Sequence, residues 1–264
     1  MPPLSTTARR GLARSASRPQ LAPWPQLRDE LAEHWRPGQH LTILGPTGTG
    51  KTTLMLALVE RRDPALIIAT KRRDAGIRRL ERDGWQIVDT VEELRKAARG
   101  SFAERYFAGE PRPRRLVLWS SPPGSIRARR KAQAEEIRRA LDFAYSSGRW
   151  TVAVDESLYL IQDLKLEPEM RALWHEGRSS GVSLVCATQR PAWLPRSGYS
   201  AASVLLMFSS NDANDVARLR DIGGAVDPKL LARELGLLRR YEFVCVAPRE
   251  QPPVLVRSRV TLDE

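Results

Sequence analysis

Two cysteines, six lysines and no long apolar run are what this 264-residue sequence has little of, and each shortage excludes something. Cys186 and Cys245 sit singly inside the apolar stretches LVCAT and FVCVA, with no metal-ligand neighbour at useful spacing. That excludes a disulfide scaffold and a thiolate metal site, and both thiols read as packing groups in a reduced, cytoplasmic compartment. No apolar run approaches the ~18 residues of a membrane-crossing helix. Residues 1–20 lack the apolar core of a secretory signal and carry Arg9, Arg10, Arg14 and Arg18 without an acid. Pro2, Pro3 and Pro19 argue against an amphipathic helix there, so 1–20 reads as a disordered basic tail. Lysine supplies only six of the 43 basic residues, leaving an arginine-dominated net charge of +12. Such a surplus suits a polyanionic partner and equally suits the codon bias of a GC-rich genome.

What is present starts with residues 40–59, HLTILGPTGTGKTTLMLALV. An apolar-weighted strand leads into Gly45, Pro46, Thr47, Gly48, Thr49, Gly50, Lys51, Thr52 and Thr53, and an apolar helical run follows. This is a phosphate loop in the context it requires, between strand and helix. The glycines let successive backbone N–H groups turn toward a β-phosphate, and the helix adds the positive end of its dipole. Lys51 is placed to reach the β- and γ-phosphates, and the Thr52 hydroxyl to ligate Mg²⁺.

Elsewhere, buried strands are expected over 39–44, 65–70, 116–119, 150–154, 182–187, 204–208 and, as the last one, 241–246, with a short strand at 86–88. Helices are expected at 52–62, 91–99, 126–146, 211–220 and 228–235. A short helix carries Leu27, Leu31 and Trp35 within 21–36, and the charged segment 71–83 reads as a solvated helical face. Another helix opens at Pro168 and ends at Glu176, with Gly177 after its end. Along 126–146 the face bearing Arg127, Arg130, Lys131 and Arg138 is open to three readings: DNA-facing, subunit-facing or solvated. Strands alternating with helices predict a three-layer α/β domain over 21–264 with a mainly parallel central sheet.

The other chemistry-bearing stretches are TVAVDES and GRSSGVSLVCATQRP. Asp155 ends an apolar strand 104 residues after Lys51, where a carboxylate holds Mg²⁺ opposite Thr52. Glu156, one residue on, suits a general base that orients and deprotonates the attacking water. Gln189 stands at the carboxyl end of a strand, the edge where ligands bind in open α/β sheets. It reads as a sensor of the γ-phosphate or as a turn cap. Arg178 is the first candidate for an arginine finger reaching a neighbouring subunit, from a glycine-bounded loop. Arg171 is the second, with Arg218 and Arg220 also open.

Together GPTGTGKTT, VAVDES and GRSSGVSLVCATQRP resemble the HerA/FtsK superfamily of hexameric DNA-pumping ATPases. The resemblance spans roughly 41–246, with the specific motifs in about forty residues. It implies a RecA-like (ASCE) P-loop fold, with ATP rather than GTP and Mg²⁺ as ligands. Lys51 and Thr52 would lie on nucleotide and metal, with Asp155 as the metal-holding acid, Glu156 as base and Gln189 as polar sensor. It further implies a homo-oligomeric ring, hexameric in that family's manner, threading double-stranded DNA. The chain departs from larger members in lacking their membrane segments and an added DNA-reading domain. The leading expectation is therefore a DNA translocase of the viral or mobile-element packaging type. A filamentous-phage-type secretion or assembly ATPase and a nucleotide-dependent binding switch with little turnover are the alternatives. A terminase-type packaging enzyme, which adds a nuclease domain with clustered carboxylates, is not expected: the acids after Glu156 are scattered, and the roughly one hundred residues that follow leave no room for a nuclease.

Overall fold

The computed structural model describes residues 19–71, 75–99, 114–222, 226–250 and 253–261. The expected basic tail lies outside them as far as Arg18, as do 72–74 of the charged segment.

The buried strands form a single sheet. Its parallel part comprises β2 (His40–Leu44), β3 (Ala65–Ile68), β4 (Gln86–Val88), β5 (Arg115–Leu118), β6 (Thr151–Val154), β7 (Ser183–Thr188) and β8 (Ala202–Phe208). Three further strands, β1 (Gln20–Leu21), β9 (Glu242–Ala247) and β10 (Val254–Arg259), extend one side into a ten-stranded order β1-β10-β9-β8-β2-β7-β6-β3-β5-β4. β9 runs antiparallel to β8, and β10 antiparallel to β9.

Both faces of this sheet are covered, which is why its strands are apolar on both sides. On one face Leu41, Ile43, Ala153, Val185 and Ala187 pack with Trp24 and Leu27 of α1 (Trp24–His34), with Leu54, Met55 and Leu58 of α2 (Lys51–Val59), and with Leu80 of α3 (Ala75–Arg82). On the other, Val152, Val154, Leu184 and Cys186 meet Leu94 of α4 (Val91–Arg99), Ile137 and Leu141 of α5 (Ile126–Ser147), and Met170, Leu173 and Trp174 of α6 (Glu167–Ser180). Leu219 of α8 (Ala213–Asp221) and Leu231 of α9 (Pro228–Gly236) join the same side, after the short α7 (Arg196–Ser200). Each fully buried leucine of this kind contributes about 1.5–3 kcal/mol. The expected three-layer α/β architecture is what the chain adopts, and both cysteines are free and buried in strands.

Three expectations need correction. The sheet does not end at 241–246: β9 turns back into β10, a half-buried strand next to the edge whose Arg257 and Arg259 interrupt its apolar signal. The helix expected to stop at Glu176 continues to Ser180. Gly177 lies inside it because the helix presses on the sheet there: a Cβ would come 2.9 Å from the Val182 carbonyl oxygen. The terminator is Gly181, at φ 72°, where the Val182 N–H returns to the Gly177 carbonyl and the Gly181 N–H to that of Arg178. Arg178 is thus on the last helical turn and not in a loop. Finally, the helix after the phosphate loop stops at Val59 rather than at residue 62.

Candidate functional site

The site is built by strand order. β7 lies between β2, which leads into the phosphate loop, and β6, which leads into Asp155 and Glu156. Leu44 pairs with Thr188 and Val154 with Cys186, so Gln189 emerges at the carboxyl edge between the two motifs. The Gly45 N–H donates to the Thr188 carbonyl, and the buried Ser157 hydroxyl donates to that of Ala187 at 2.9 Å. These bonds pin the starts of both loops to the intervening strand.

The phosphate loop has the shape its sequence calls for. Gly48 takes φ 78° and Gly50 φ 104°, left-handed conformations that a side chain disfavours. Gly45 packs so close to β8 that a Cβ would sit 2.6 Å from Cβ of Phe208. Phe208 is held in turn by Phe243 at a ring separation of 5.6 Å, and Phe243 by Trp24 at 5.7 Å. The extra strands therefore buttress the loop. Gly50 lies against Val260 and Tyr241, at the open end of the β9–β10 pair.

Lys51 is 7% exposed, and its ammonium group donates to the Pro46 carbonyl at 2.7 Å. Burial lowers its pKa, while Asp155 and Glu156 oppose that shift. Thr49 also donates to the Pro46 oxygen, at 2.9 Å, and Thr53 is half-buried in the first turn of α2. The Thr52 hydroxyl donates to Oδ1 of Asp155 at 2.8 Å. A hydroxyl and a carboxylate already in contact suit a hard cation that keeps most of its shell for phosphate and water. These two side chains are the ones that would hold Mg²⁺ jointly with a nucleotide.

Glu156 and Gln189 complete the cluster. Nε2 of Gln189 donates to Oε2 of Glu156 at 2.6 Å, and Oε1 of Gln189 accepts from the Thr47 hydroxyl. The amide thereby bridges the phosphate loop and the carboxylate. Burial raises the Glu156 pKa above the ordinary carboxylate value, with the Gln189 hydrogen bond and Lys51 pulling the other way.

The structure thus brings together the phosphate loop, Asp155, Glu156 and Gln189. It does not bring Arg178 to them. Arg178 is exposed at the amino edge of the sheet, where its backbone packs on Gly38, before β2. Arg171 is exposed on α6 and Arg218 stacks on Tyr199, while the Arg220 side chain lies outside the described residues.

Several neighbours escaped the sequence reading. Lys71 lies 3.4 Å from Oδ2 of Asp155, and its backbone carbonyl accepts from the Trp119 indole at 2.6 Å. Its signal was available: it follows β3, the strand next to β6, at the same edge. Arg190 pairs with Asp212 at 3.1 Å and stacks on Trp193 in the 3₁₀ turn Pro191–Trp193. Gln133 donates to the carbonyls of Thr70 and Ser120 and accepts from Tyr159. Nothing in the local sequence marks that junction.

No family model matches the chain. A curated relative, DNA packaging ATPase P9 of Enterobacteria phage PRD1, is 27% identical over 177 residues, which is 67% of this chain. The chain spans 66% of that relative's length. Among solved structures, the genome packaging NTPase B204 of Sulfolobus turreted icosahedral virus 2, in complex with ATP-γS, superposes with a TM-score of 0.56 and 14% identity, covering 85% of this chain and 99% of that one. VirB4 of Thermoanaerobacter pseudethanolicus superposes with a TM-score of 0.56 and 13% identity, covering 85% and 90%. At these identities the structural likeness speaks for the fold.

Proposed function

We propose that this chain, which has the P-loop ATPase fold of the HerA/FtsK type, hydrolyses ATP to drive double-stranded DNA and works as a ring-forming packaging motor. The observation that carries the reading is the bridge from Thr47 through Gln189 to Glu156 beside the Thr52–Asp155 contact. A binding loop alone would not need a half-buried carboxylate held beside its phosphate position. A site that activates water does. The packaging role draws on the sequence relative and agrees with the arginine surplus.

In this reading the loop N–H groups and Lys51 hold the β- and γ-phosphates. Thr52 and Asp155 hold Mg²⁺, which neutralises phosphate charge when bound. Glu156 accepts the proton of the attacking water, and Gln189 fixes that carboxylate and reports the γ-phosphate through Thr47. Arg178, facing away from its own site, would serve the nucleotide of an adjoining subunit. No helix among the described residues is long and apolar enough to cross a membrane. We place the protein in the cytoplasm of the infected or host cell, or in the virion.

The test is ATP turnover with and without long duplex DNA at two salt concentrations, with the oligomeric state measured alongside. Duplex stimulation that fades with salt supports a motor gripping phosphates. Turnover indifferent to duplex would replace this reading with a secretion or assembly ATPase.

A further inference from the structure

Resting on the motor reading, we infer that the loop at 120–125 and the first two turns of α5 form a surface that grips the DNA phosphates, and that Gln133 links it to the hydrolytic site. The loop leaves β5 at the carboxyl edge of the sheet, the same edge as the phosphate loop and Asp155. Ser125 caps α5 by accepting the Ala128 N–H, and no acid occupies the first turn. Onto this positive end the sequence places Arg127, Arg129, Arg130 and Lys131. Such a placement opposes the helix dipole, and Arg127 and Lys131 are also like charges one turn apart. Among the described residues no carboxylate lies within 4 Å of Arg127, Arg129 or Lys131. Arg130 alone is paired, with Asp163 at 3.1 Å.

Farther along the helix the arginines behave differently. Arg138 pairs with Glu169 and Glu135, and Arg139 with Glu92 and Glu136, so that part of the helix is neutralised within the subunit. The basic face read from the sequence therefore divides in two, and only its beginning is left for a polyanion. Ile126, 66% exposed, stands at its tip. Helix-dipole charge and uncompensated cations at the carboxyl edge that carries the phosphate loop fit a phosphate backbone, and a carboxylate-bearing neighbouring subunit is the competing occupant that the assembly measurement below detects.

The link to catalysis is a set of hydrogen bonds. Gln133, one turn below the patch, donates to Thr70 and Ser120 and receives the Tyr159 hydroxyl at 2.9 Å. Thr70 precedes Lys71, which contacts Asp155. Tyr159 opens the π-helical turn Tyr159–Asp163, and its N–H donates to the Glu156 carbonyl. Asp163, the partner of Arg130, closes that turn. A phosphate competing for Arg130 would thus act on the segment that carries the proposed base.

The experiment uses the full chain, a fluorescent duplex, and salt titrations between about 50 and 200 mM. R127A/K131A should keep its DNA-free ATP turnover, and the slope of log affinity against log salt should shrink by about two. Duplex stimulation should fall with it. If the wild-type chain binds duplex and the double variant binds with the same slope, the surface is elsewhere and the inference fails while the motor reading stands. If the wild-type chain binds no duplex, the motor reading itself fails and takes the inference with it. Loss of assembly in R127A/K131A would overturn the inference by making the patch a subunit contact. Q133L should bind duplex with the wild-type slope yet lose its stimulation; retained stimulation would remove Gln133 from the link.

Discussion

Gln189 and Glu156 come from two adjacent strands and meet side chain to side chain, with Nε2 of the amide 2.6 Å from Oε2 of the carboxylate. The amide's other end accepts from Thr47, in the loop that would cradle phosphate. One side chain therefore touches both the phosphate loop and the proposed base. Under the proposed function, Gln189 would be the sensor between them.

Gln189→Ala should separate binding from chemistry. Nucleotide affinity should stay within a few-fold, because Lys51 and the loop N–H groups remain. The kcat should fall by about 10²-fold, toward the lower range for losing a positioned general base. Fluorescent-nucleotide titration beside steady-state turnover checks this, and equal losses in both quantities would mean that Gln189 merely shapes the loop.

Burial raises the Glu156 pKa, and a base works only when deprotonated. Turnover should therefore decline on the acid side through a limb lying above the ordinary carboxylate range, and recover as pH rises through it. The limb should be absent from the residual activity of a Glu156 variant. A pH profile of kcat with saturating nucleotide measures it.

The Thr52 hydroxyl donates to Oδ1 of Asp155 at 2.8 Å, and in the proposed site both would ligate Mg²⁺. Thr52→Ala should raise the Mg²⁺ concentration needed for half-maximal turnover roughly tenfold, by analogy with losing a supporting metal contact. Chelation should abolish turnover in both proteins. A Mg²⁺ titration at fixed ATP distinguishes this from simple loss of nucleotide binding.

His40 opens β2 and is 3% exposed, and its Nδ1 accepts the Leu184 N–H at 3.0 Å. Burial, reinforced by Arg249, lowers its pKa from 6.5 to about 4. The unfolded chain therefore binds a proton that the folded one refuses between those values. Stability should fall by about 3 kcal/mol as pH drops from 6.5 toward 4, and be independent of His40 above 6.5. Denaturant unfolding of wild type and His40→Asn across that range checks the slope, which the variant should lack.

The sequence made the site more legible than the edges of the fold. Strand ends mark the carboxyl edge of a parallel sheet, so reading the apolar runs before Gly45, Asp155 and Gln189 already put the three motifs on one edge. Their mutual contacts were not legible, because strand order decides them and apolar runs do not encode order. Gly177 misled for a physical reason: a glycine that permits close packing looks the same in sequence as one that ends a helix. The Gly177 position hid Arg178's place on the last helical turn. β10 was lost because a half-buried strand carrying Arg257 and Arg259 has no continuous apolar signal. Gln133 was invisible, since its value lies in three partners 13 to 63 residues away.

The most direct measurement is ATP binding and single-turnover hydrolysis by Glu156→Gln beside the wild-type chain. The amide keeps the shape of the carboxylate and removes its basicity. The account predicts normal binding with hydrolysis lowered by about 10²–10⁴-fold. Hydrolysis at the wild-type rate would contradict it, because water would then be activated by some group other than Glu156.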